Sequence, residues 1–332
     1  MNARIAAVLG DPAGIGPELI ARLFAEPENR SRASLYLLAD RAEAEAGMAV
    51  AGLRYPLETV RSFEEVVSPG TVALIEHAGN APFERAVATA NGGEYSLRTL
   101  GAAVEAARAG VVDGVLFGPL NKSSMHQAGL AHEDESQWFA HLLGVTEPHG
   151  ELNVLDGLWT TRVTSHVALK DVAGLITRER ILDAIRLAFS TLATAGVAAP
   201  RVAVCGLNPH NGDNGSFGRE EIEVIGPAVE AAKAAGFPVT GPFPADTIFL
   251  KAKEIDAIVT MYHDQGQIAM KLMGFWRGVT VHGGLPVPIT TPAHGTAFDI
   301  QGQGKANVGA TQAAFDICVA MAESRRRERL AA

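Results

Sequence analysis

The chain has 332 residues, 47% of them hydrophobic and 20% charged, with a formal net charge of -9 at pH 7. These values suit a globular chain of about two domains, exclude wholesale disorder, and argue against nonspecific nucleic-acid binding. Cys205 and Cys318 are the only cysteines, too few for a disulfide framework or for a structural zinc site by themselves. No run of about 18 apolar residues predicts a membrane span, and Met-Asn-Ala-Arg leads into a strand pattern without an export signal's apolar stretch, so a cytoplasmic protein is expected.

In chain order, Ile5–Leu9 reads as a strand, followed by the loop Gly10–Gly16 and a helix from Pro17. Leu35–Ala39 and Val72–Ile75 read as further strands. Leu97, Leu100, Gly101, Val104 and Ala107 make a helical stripe, and Val112–Phe117 a buried strand ending at Gly118-Pro119. Helices are expected at Arg180–Ala195, Arg219–Ala235 and Ala306–Glu323, and strands at Val202–Cys205 and Ala257–Met261. Arg325–Arg329 suits the negative end of the last helix better than a nucleic acid. The alternation predicts an α/β fold with a largely parallel sheet, whose ligands gather beyond the strands' carboxyl ends.

Several strings carry residues with chemistry. Gly10-Asp11-Pro12-Ala13-Gly14-Ile15-Gly16-Pro17-Glu18 joins a strand to a helix start, where backbone N–H groups hold anions. It matches neither the dinucleotide fingerprint nor a P-loop, and a tight turn with Pro at the first helical position explains it better. His166, His210 and His263 each end an apolar run, and three imidazoles with an open fourth position suit a catalytic divalent metal. Three unrelated polar histidines are the bland alternative. His294-Gly295-Thr296-Ala297 has small residues that let the backbone approach a flat cofactor, although a turn before a helix looks the same. Lys122 and Lys271 are candidates for carboxylate binding or proton transfer, set against the ordinary surface lysine. Asp246, after a Pro-rich loop, is either near a helix start or a ligand-facing carboxylate.

Taken together, Gly10–Glu18, Gly118–Lys122, Cys205–His210, Pro244–Thr247, Met261–Gly266 and His294–Ala297 resemble the 4-hydroxythreonine-4-phosphate dehydrogenase family nearly end to end. The opening Gly-Ile-Gly-Pro-Glu and the His-Gly-Thr-Ala segment are also similar to isocitrate and isopropylmalate dehydrogenases. The resemblance implies a two-domain α/β fold of that wider type with the active site in the interdomain cleft. Residues 1–127 with 284–332 would form the first domain, and 128–283 the second, with the metal ligands and dimer interface. It further implies a homodimer whose metal site is shared across the interface, with His166, His210 and His263 as ligands. Zinc is the first choice of metal, with magnesium, manganese or cobalt as alternatives. NAD or NADP would lie against loops that include His294, Gly295, Thr296 and Ala297.

Three of the family's substrate positions differ here. Glu135-Ser136-Gln137 stands where the family has His-Thr-Glu, Thr280 where it has Asn, and Ile289 where it has Arg, while Lys271 is kept. An Arg fork binds an anion through paired hydrogen bonds that Ile cannot make, so a pocket with weaker anion contacts is expected. The implied chemistry is oxidation of a secondary alcohol of a small hydroxy acid, probed through Lys122 for the proton and Asp246 for orientation, with loss of a β-carboxylate as CO2. Rival readings are the same chemistry on an unphosphorylated substrate such as an aromatic cis-dihydrodiol carboxylate, an inactive ligand-binding protein on this scaffold, and a metal-dependent lyase or isomerase.

Overall fold

The expected alternation of strand and helix runs through the whole computed structural model, which describes residues 2–65, 67–79 and 82–331. The strands are β1 (Ala3–Val8), β2 (Ala33–Ala39), β3 (Leu57–Val60), β4 (Val72–Glu76), β5 (Gly114–Phe117) and β6 (Gly150–Leu155). They continue as β7 (Leu158–Arg162), β8 (Val202–Cys205), β9 (Val239–Phe243), β10 (Ala257–Thr260), β11 (Val279–Gly283) and β12 (Ile289–Pro292). The chain divides into two units, one up to Thr146 together with the segment from Val279 onward, the other Glu147–Gly278.

The first unit orders its strands β3-β4-β2-β1-β5-β12-β11. All neighbours are parallel except β11 and β12. Such strands are covered on both faces, which is why Ile5–Leu9 and Val115–Phe117 are apolar without alternation. The helix Ala90–Arg108 lays Leu100, Ala103, Val104 and Ala107 on that sheet beside Val115, Phe117 and Ile289. Its Thr89 cap accepts a hydrogen bond from Gly92 N at 3.1 Å. Gly93 allows this helix to reach the Ser124 backbone, since a Cβ there would lie 1.9 Å from the Ser124 carbonyl oxygen.

The second unit orders its strands β6-β7-β10-β8-β9, antiparallel only between β6 and β7. Leu155, Leu158, Ala203, Cys205, Ile258 and Met270 form a core of its own. The expected helix over Arg219–Ala235 is instead a wide π-type turn, Glu221–Ile225, followed by an α-helix, Gly226–Ala234. Pro227 is the reason: it has no N–H for an i→i−4 bond, so the regular ladder restarts there. The last helix begins at Gly309 rather than Ala306, because Asn307 Oδ1 accepts the Gly309 N–H at 2.8 Å, and it runs to Ala331. Its last turn carries Arg329, as the dipole argument requires. Among the described residues, no helix is long and apolar enough to cross a membrane.

Gly93→Ala is expected to destabilise the protein by about 2–3 kcal/mol through overpacking against a backbone that cannot retreat. Gly174→Ala, at an exposed helical position with open space around it, should instead be neutral or up to about 1 kcal/mol stabilising. Urea denaturation of the two variants checks the contrast.

Candidate active site

The glycine-rich loop of the first unit is a packed turn. Gly10 (φ +77°) lies so close to Gly118 that a Cβ would meet its carbonyl oxygen at 2.4 Å, and a Cβ on Gly14 would meet Thr296 Cβ at 2.7 Å. Three of the loop's N–H groups are already used: Ala13 N donates to Asp11 Oδ1 at 2.9 Å, Gly14 N to Asp11 O at 3.1 Å, and Ile15 N to Thr296 O at 3.0 Å. These bonds agree with the tight-turn reading of the loop. What the turn does is tie three strand ends together, since Asp11 N also donates to Pro119 O at 3.0 Å.

Asp11 itself is fully buried. Burial pushes its carboxyl above the usual range, and the Ala13 N–H and the neighbouring Ser124 hydroxyl only partly oppose this. Neither Asp11 Oδ2 nor Ser124 Oγ reaches ordinary hydrogen-bond geometry with any described group.

The first unit also carries several of the expected residues. Lys122 opens the helix Lys122–Gln127 and Glu135 opens Glu135–Leu143, each behind a side-chain cap, Asn121 and Asp134. Lys122 Nζ is 3.9 Å from Glu135 Oε2, the ammonium half exposed and the carboxylate nearly buried. Ser136 is buried, with Oγ outside any hydrogen bond among the described residues. Ile289 is wholly buried in the core of β12, so it supplies packing there, and Thr280 is half-buried on β11. His294 Nδ1 lies 3.0 Å from the Gly295 carbonyl oxygen, Nε2 is buried without a partner among the described residues, and burial lowers the pKa. Thr296 is buried, and Ala297 holds a left-handed φ of +45°.

The second unit holds all three candidate metal ligands. His166 follows β7, His210 follows β8 and His263 follows β10, so each leaves the carboxyl end of a parallel strand. The His166 and His263 rings face each other with centroids 5.8 Å apart. His263 Nδ1 is 2.6 Å from Asp264 Oδ1, and a carboxylate acceptor there favours the proton on Nδ1, leaving the lone pair on Nε2. His210 is exposed on a turn whose residues His210, Asn211, Gly212, Asp213 and Asn214 all have positive φ. Left-handed backbone costs a residue with a Cβ about 1–2 kcal/mol, so this turn has to be held. Among the described residues, no three His, Cys, Asp or Glu side chains gather closely enough to enclose a metal. The donor chemistry therefore fits a metal at the His166–His263 pair, but one chain does not bring His210 into that group. Asp246 and Lys271 are both exposed, Asp246 in the short helix Ala245–Ile248 and Lys271 in His263–Gly274.

Three residues that hold these loops were not singled out by sequence. Gln265 accepts Met261 N at 2.7 Å and donates to Gly206 O at 2.9 Å, linking the loops that carry His263 and His210. Arg162 donates to Ser165 Oγ at 2.9 Å, to Asn153 Oδ1 at 3.0 Å and to Glu151 Oε2 at 2.6 Å, fixing the residue before His166. Glu221 accepts Leu207 N and Asn208 N at 2.7 Å each, upstream of His210. Met261-Tyr262-His263-Asp264-Gln265 did place Gln265 beside a candidate ligand, and that was its one sequence signal. A cavity of about 780 Å³ in the first unit lies at the amino ends of β1, β2 and β4, lined by Arg4, Ala33 and Thr71 among others, and contains none of the candidate residues.

The chain belongs to the PdxA family, described as pyridoxal phosphate biosynthetic protein PdxA, whose model matches residues 31–318. It is 58% identical over 325 residues to a Pseudomonas aeruginosa protein named "Putative 4-hydroxythreonine-4-phosphate dehydrogenase 2", covering 96% of each chain. It is 37% identical to the D-threonate 4-phosphate dehydrogenase of Pectobacterium atrosepticum, covering 92% of this chain and 95% of that one. The crystal structure of 4-hydroxythreonine-4-phosphate dehydrogenase from Klebsiella pneumoniae superposes with a TM-score of 0.85 at 34% identity, covering 97% of this chain and 100% of the other. The fold expected from the family resemblance is thus the one found.

Because the folded protein raises the Asp11 carboxyl above its ordinary value of 3.8, the fold favours the protonated acid. That contribution is complete below pH 3.8 and is lost as pH rises through the raised folded value. Asp11→Asn keeps an acceptor for Ala13 N–H and cannot ionise. It should be more stable than wild type at pH 7, with the advantage shrinking to nothing on acidification. Urea denaturation at pH 7 and near pH 3.5 measures this.

Proposed function

We propose that this chain is a metal-dependent NAD(P) dehydrogenase that oxidises the secondary alcohol of a small phosphorylated hydroxy acid, with loss of a β-carboxylate as CO2. The observation that carries the reading is the His166–His263 pair at the ends of adjacent parallel strands, in a chain that matches PdxA relatives over nearly its full length. The relatives named for 4-hydroxythreonine 4-phosphate and D-threonate 4-phosphate support a substrate that bears a phosphate.

His166, His210 and His263 would hold the metal, and a divalent cation there lowers the pKa of a bound hydroxyl and steadies the negative charge left by decarboxylation. Zinc is the first choice for three imidazoles, with magnesium, manganese or cobalt as alternatives. Lys122 would first give an ammonium proton to water, which its half-exposed position allows, and as the neutral amine would then take the substrate hydroxyl proton. Glu135 holds the ammonium toward the substrate and accepts a hydrogen bond from a substrate hydroxyl. Asp246 orients the substrate, and Lys271 meets its anionic end. Ser136 and Thr280 offer hydroxyls, while Ile289 shapes the site through the strand it anchors. His294–Ala297 would hold a nicotinamide dinucleotide, which when bound supplies a hydride acceptor, and burial lowers the His294 pKa so that its ring hydrogen-bonds there without charge.

The ligand set is completed in a homodimer. What supports this is the series of exposed apolar side chains Ile268, Leu272, Met273, Phe275 and Trp276 on and directly after the helix that begins with His263. Exposed apolar side chains clustered along one short segment are a feature of association sites.

NAD(P)H formation by metal-loaded protein tests the reading. The panel is 4-phosphohydroxy-L-threonine, D-threonate and D-erythronate 4-phosphates, their unphosphorylated forms, and a cis-dihydrodiol carboxylate. Turnover of a phosphorylated member is expected, and turnover of the unphosphorylated members alone would replace the substrate class. His210→Ala should lower activity at least about 100-fold, beyond the usual loss for a mere supporting residue. Leu272→Glu should convert the dimer to monomer in sedimentation and remove activity with it, and an active monomer would end the shared-site reading.

A further inference from the structure

The turn that carries His210 poses a problem that the rest of the second unit solves at one carboxylate. Residues 210–214 run left-handed, four of them with a Cβ, and His210 itself projects into solvent. Nothing in the intrinsic preference of such a segment holds one conformation. Beneath it lies Glu221, only 5% exposed, at the start of the π-type turn Glu221–Ile225.

Both carboxylate oxygens are aimed at the turn. Oε1 accepts Leu207 N and Asn208 N at 2.7 Å each, and Oε2 accepts Asn208 Nδ2 at 3.0 Å. Two glycines line the carboxylate: a Cβ on Gly206 would lie 3.0 Å from Oε1, and one on Gly212 would lie 2.9 Å from Oε2. The segment from Gly206 to Gly212 is thus built around this side chain. Two further contacts close the turn, Glu220 Oε2 accepting Asn208 Nδ2 at 2.7 Å and Pro242 O accepting Asn211 Nδ2 at 2.8 Å. Those bonds reach side chains of the turn, and its backbone closes on itself through Asn211 N–Asn208 O at 3.2 Å and Phe217 N–Gly212 O at 3.0 Å, whereas Glu221 is the carboxylate that takes two backbone N–H groups ahead of the turn.

The geometry points to Glu221 as the positioning residue for His210, acting by holding the backbone of Leu207 and Asn208 so that the left-handed turn presents the imidazole in one place. The role rests on the metal reading of His210 given above. Burying a carboxylate is costly unless it is hydrogen-bonded, and a residue needed only to fill this space would be apolar. The wide turn is part of the device, because it sets the carboxylate at the head of the segment facing the loop. Such turns recur at functional sites.

The test uses the full chain with Co2+ as the probe. Wild type, Glu221→Gln, Glu221→Ala and His210→Ala are titrated with Co2+ and followed by absorption, and backbone amide exchange is measured across 206–216. Val229→Ala, a core substitution in the same unit, controls for general loss of stability. The expected result is Co2+ affinity falling roughly 10- to 100-fold in the Glu221 variants, with Ala worse than Gln, together with faster exchange at Leu207 and Asn208. Val229→Ala should leave both unchanged even if its melting temperature falls as far. Wild-type affinity in both Glu221 variants, when His210→Ala has lost it, would overturn the assignment. If wild type itself binds no Co2+, the metal reading fails. The exchange data then decide the role of Glu221 alone: protection at Leu207 and Asn208 equal to that in Val229→Ala overturns it, and selective loss upholds the hold on the turn.

Discussion

Backbone groups that emerge at the buried carboxyl end of a parallel strand must find hydrogen-bond partners, and both units of this protein are organised by how they do so. An unpaired buried N–H costs about 1–3 kcal/mol, more than most single contacts return. In the first unit the partners are other loops: Asp11 N finds Pro119 O, and Ile15 N finds Thr296 O. In the second unit the loops again bind one another, with Thr164 N on Met261 O at 3.1 Å and Gly206 N on Phe243 O at 2.8 Å. Side chains supply what loops cannot, Gln265 for Met261 and Glu221 for Leu207 and Asn208. The rigidity of the strand ends is therefore a by-product of satisfying them.

The two units use this constraint for different ends. In the first, glycines let backbones pack so closely that the loop from Gly10 to Gly16 has no donors left in Ala13, Gly14 and Ile15 for a ligand, and chemistry is left to the side chains around it. Lys122 and Glu135 show the result: each sits at a capped helix start, one reaching water and the other nearly buried. An ion pair at 3.9 Å with one exposed partner adds little to stability. In the second unit the loops instead project imidazoles. His166 and His263 come together across neighbouring strands, while His210 stands on a turn whose conformation is enforced from below.

Much of this was legible in the sequence. Unbroken apolar runs such as Ile5–Leu9 and Val202–Cys205 can be stable only as buried parallel strands, and the stripe through Leu100, Val104 and Ala107 only as a helix facing them. The ordered motifs from Gly10–Glu18 to His294–Ala297 carried the family. Less regular segments were hidden. The β6–β7 hairpin mixes polar and apolar residues, and the helix over Glu135–Leu143 is short, so neither periodicity stands out. The break at Gly226-Pro227 was present as a proline, but its neighbours favour helix strongly enough to mask the wide turn before it.

Composition and periodicity by themselves determined that the chain is an α/β protein with its candidate residues at strand ends, because hydrophobic pattern and turn chemistry are local properties written residue by residue. Only the tertiary structure decided which donors remain unspent. Gly14 is an anion-binding glycine or a packing glycine depending on whether Thr296, far along the chain, lies against it. Ile289 is a pocket residue or a core residue depending on which strands flank β12. Glu221 is one acid among many in the sequence, and becomes distinctive only when folding brings both its oxygens to Leu207 and Asn208. Hydrogen bonds and close packing are pairwise over long separations in sequence, so no local pattern can announce them.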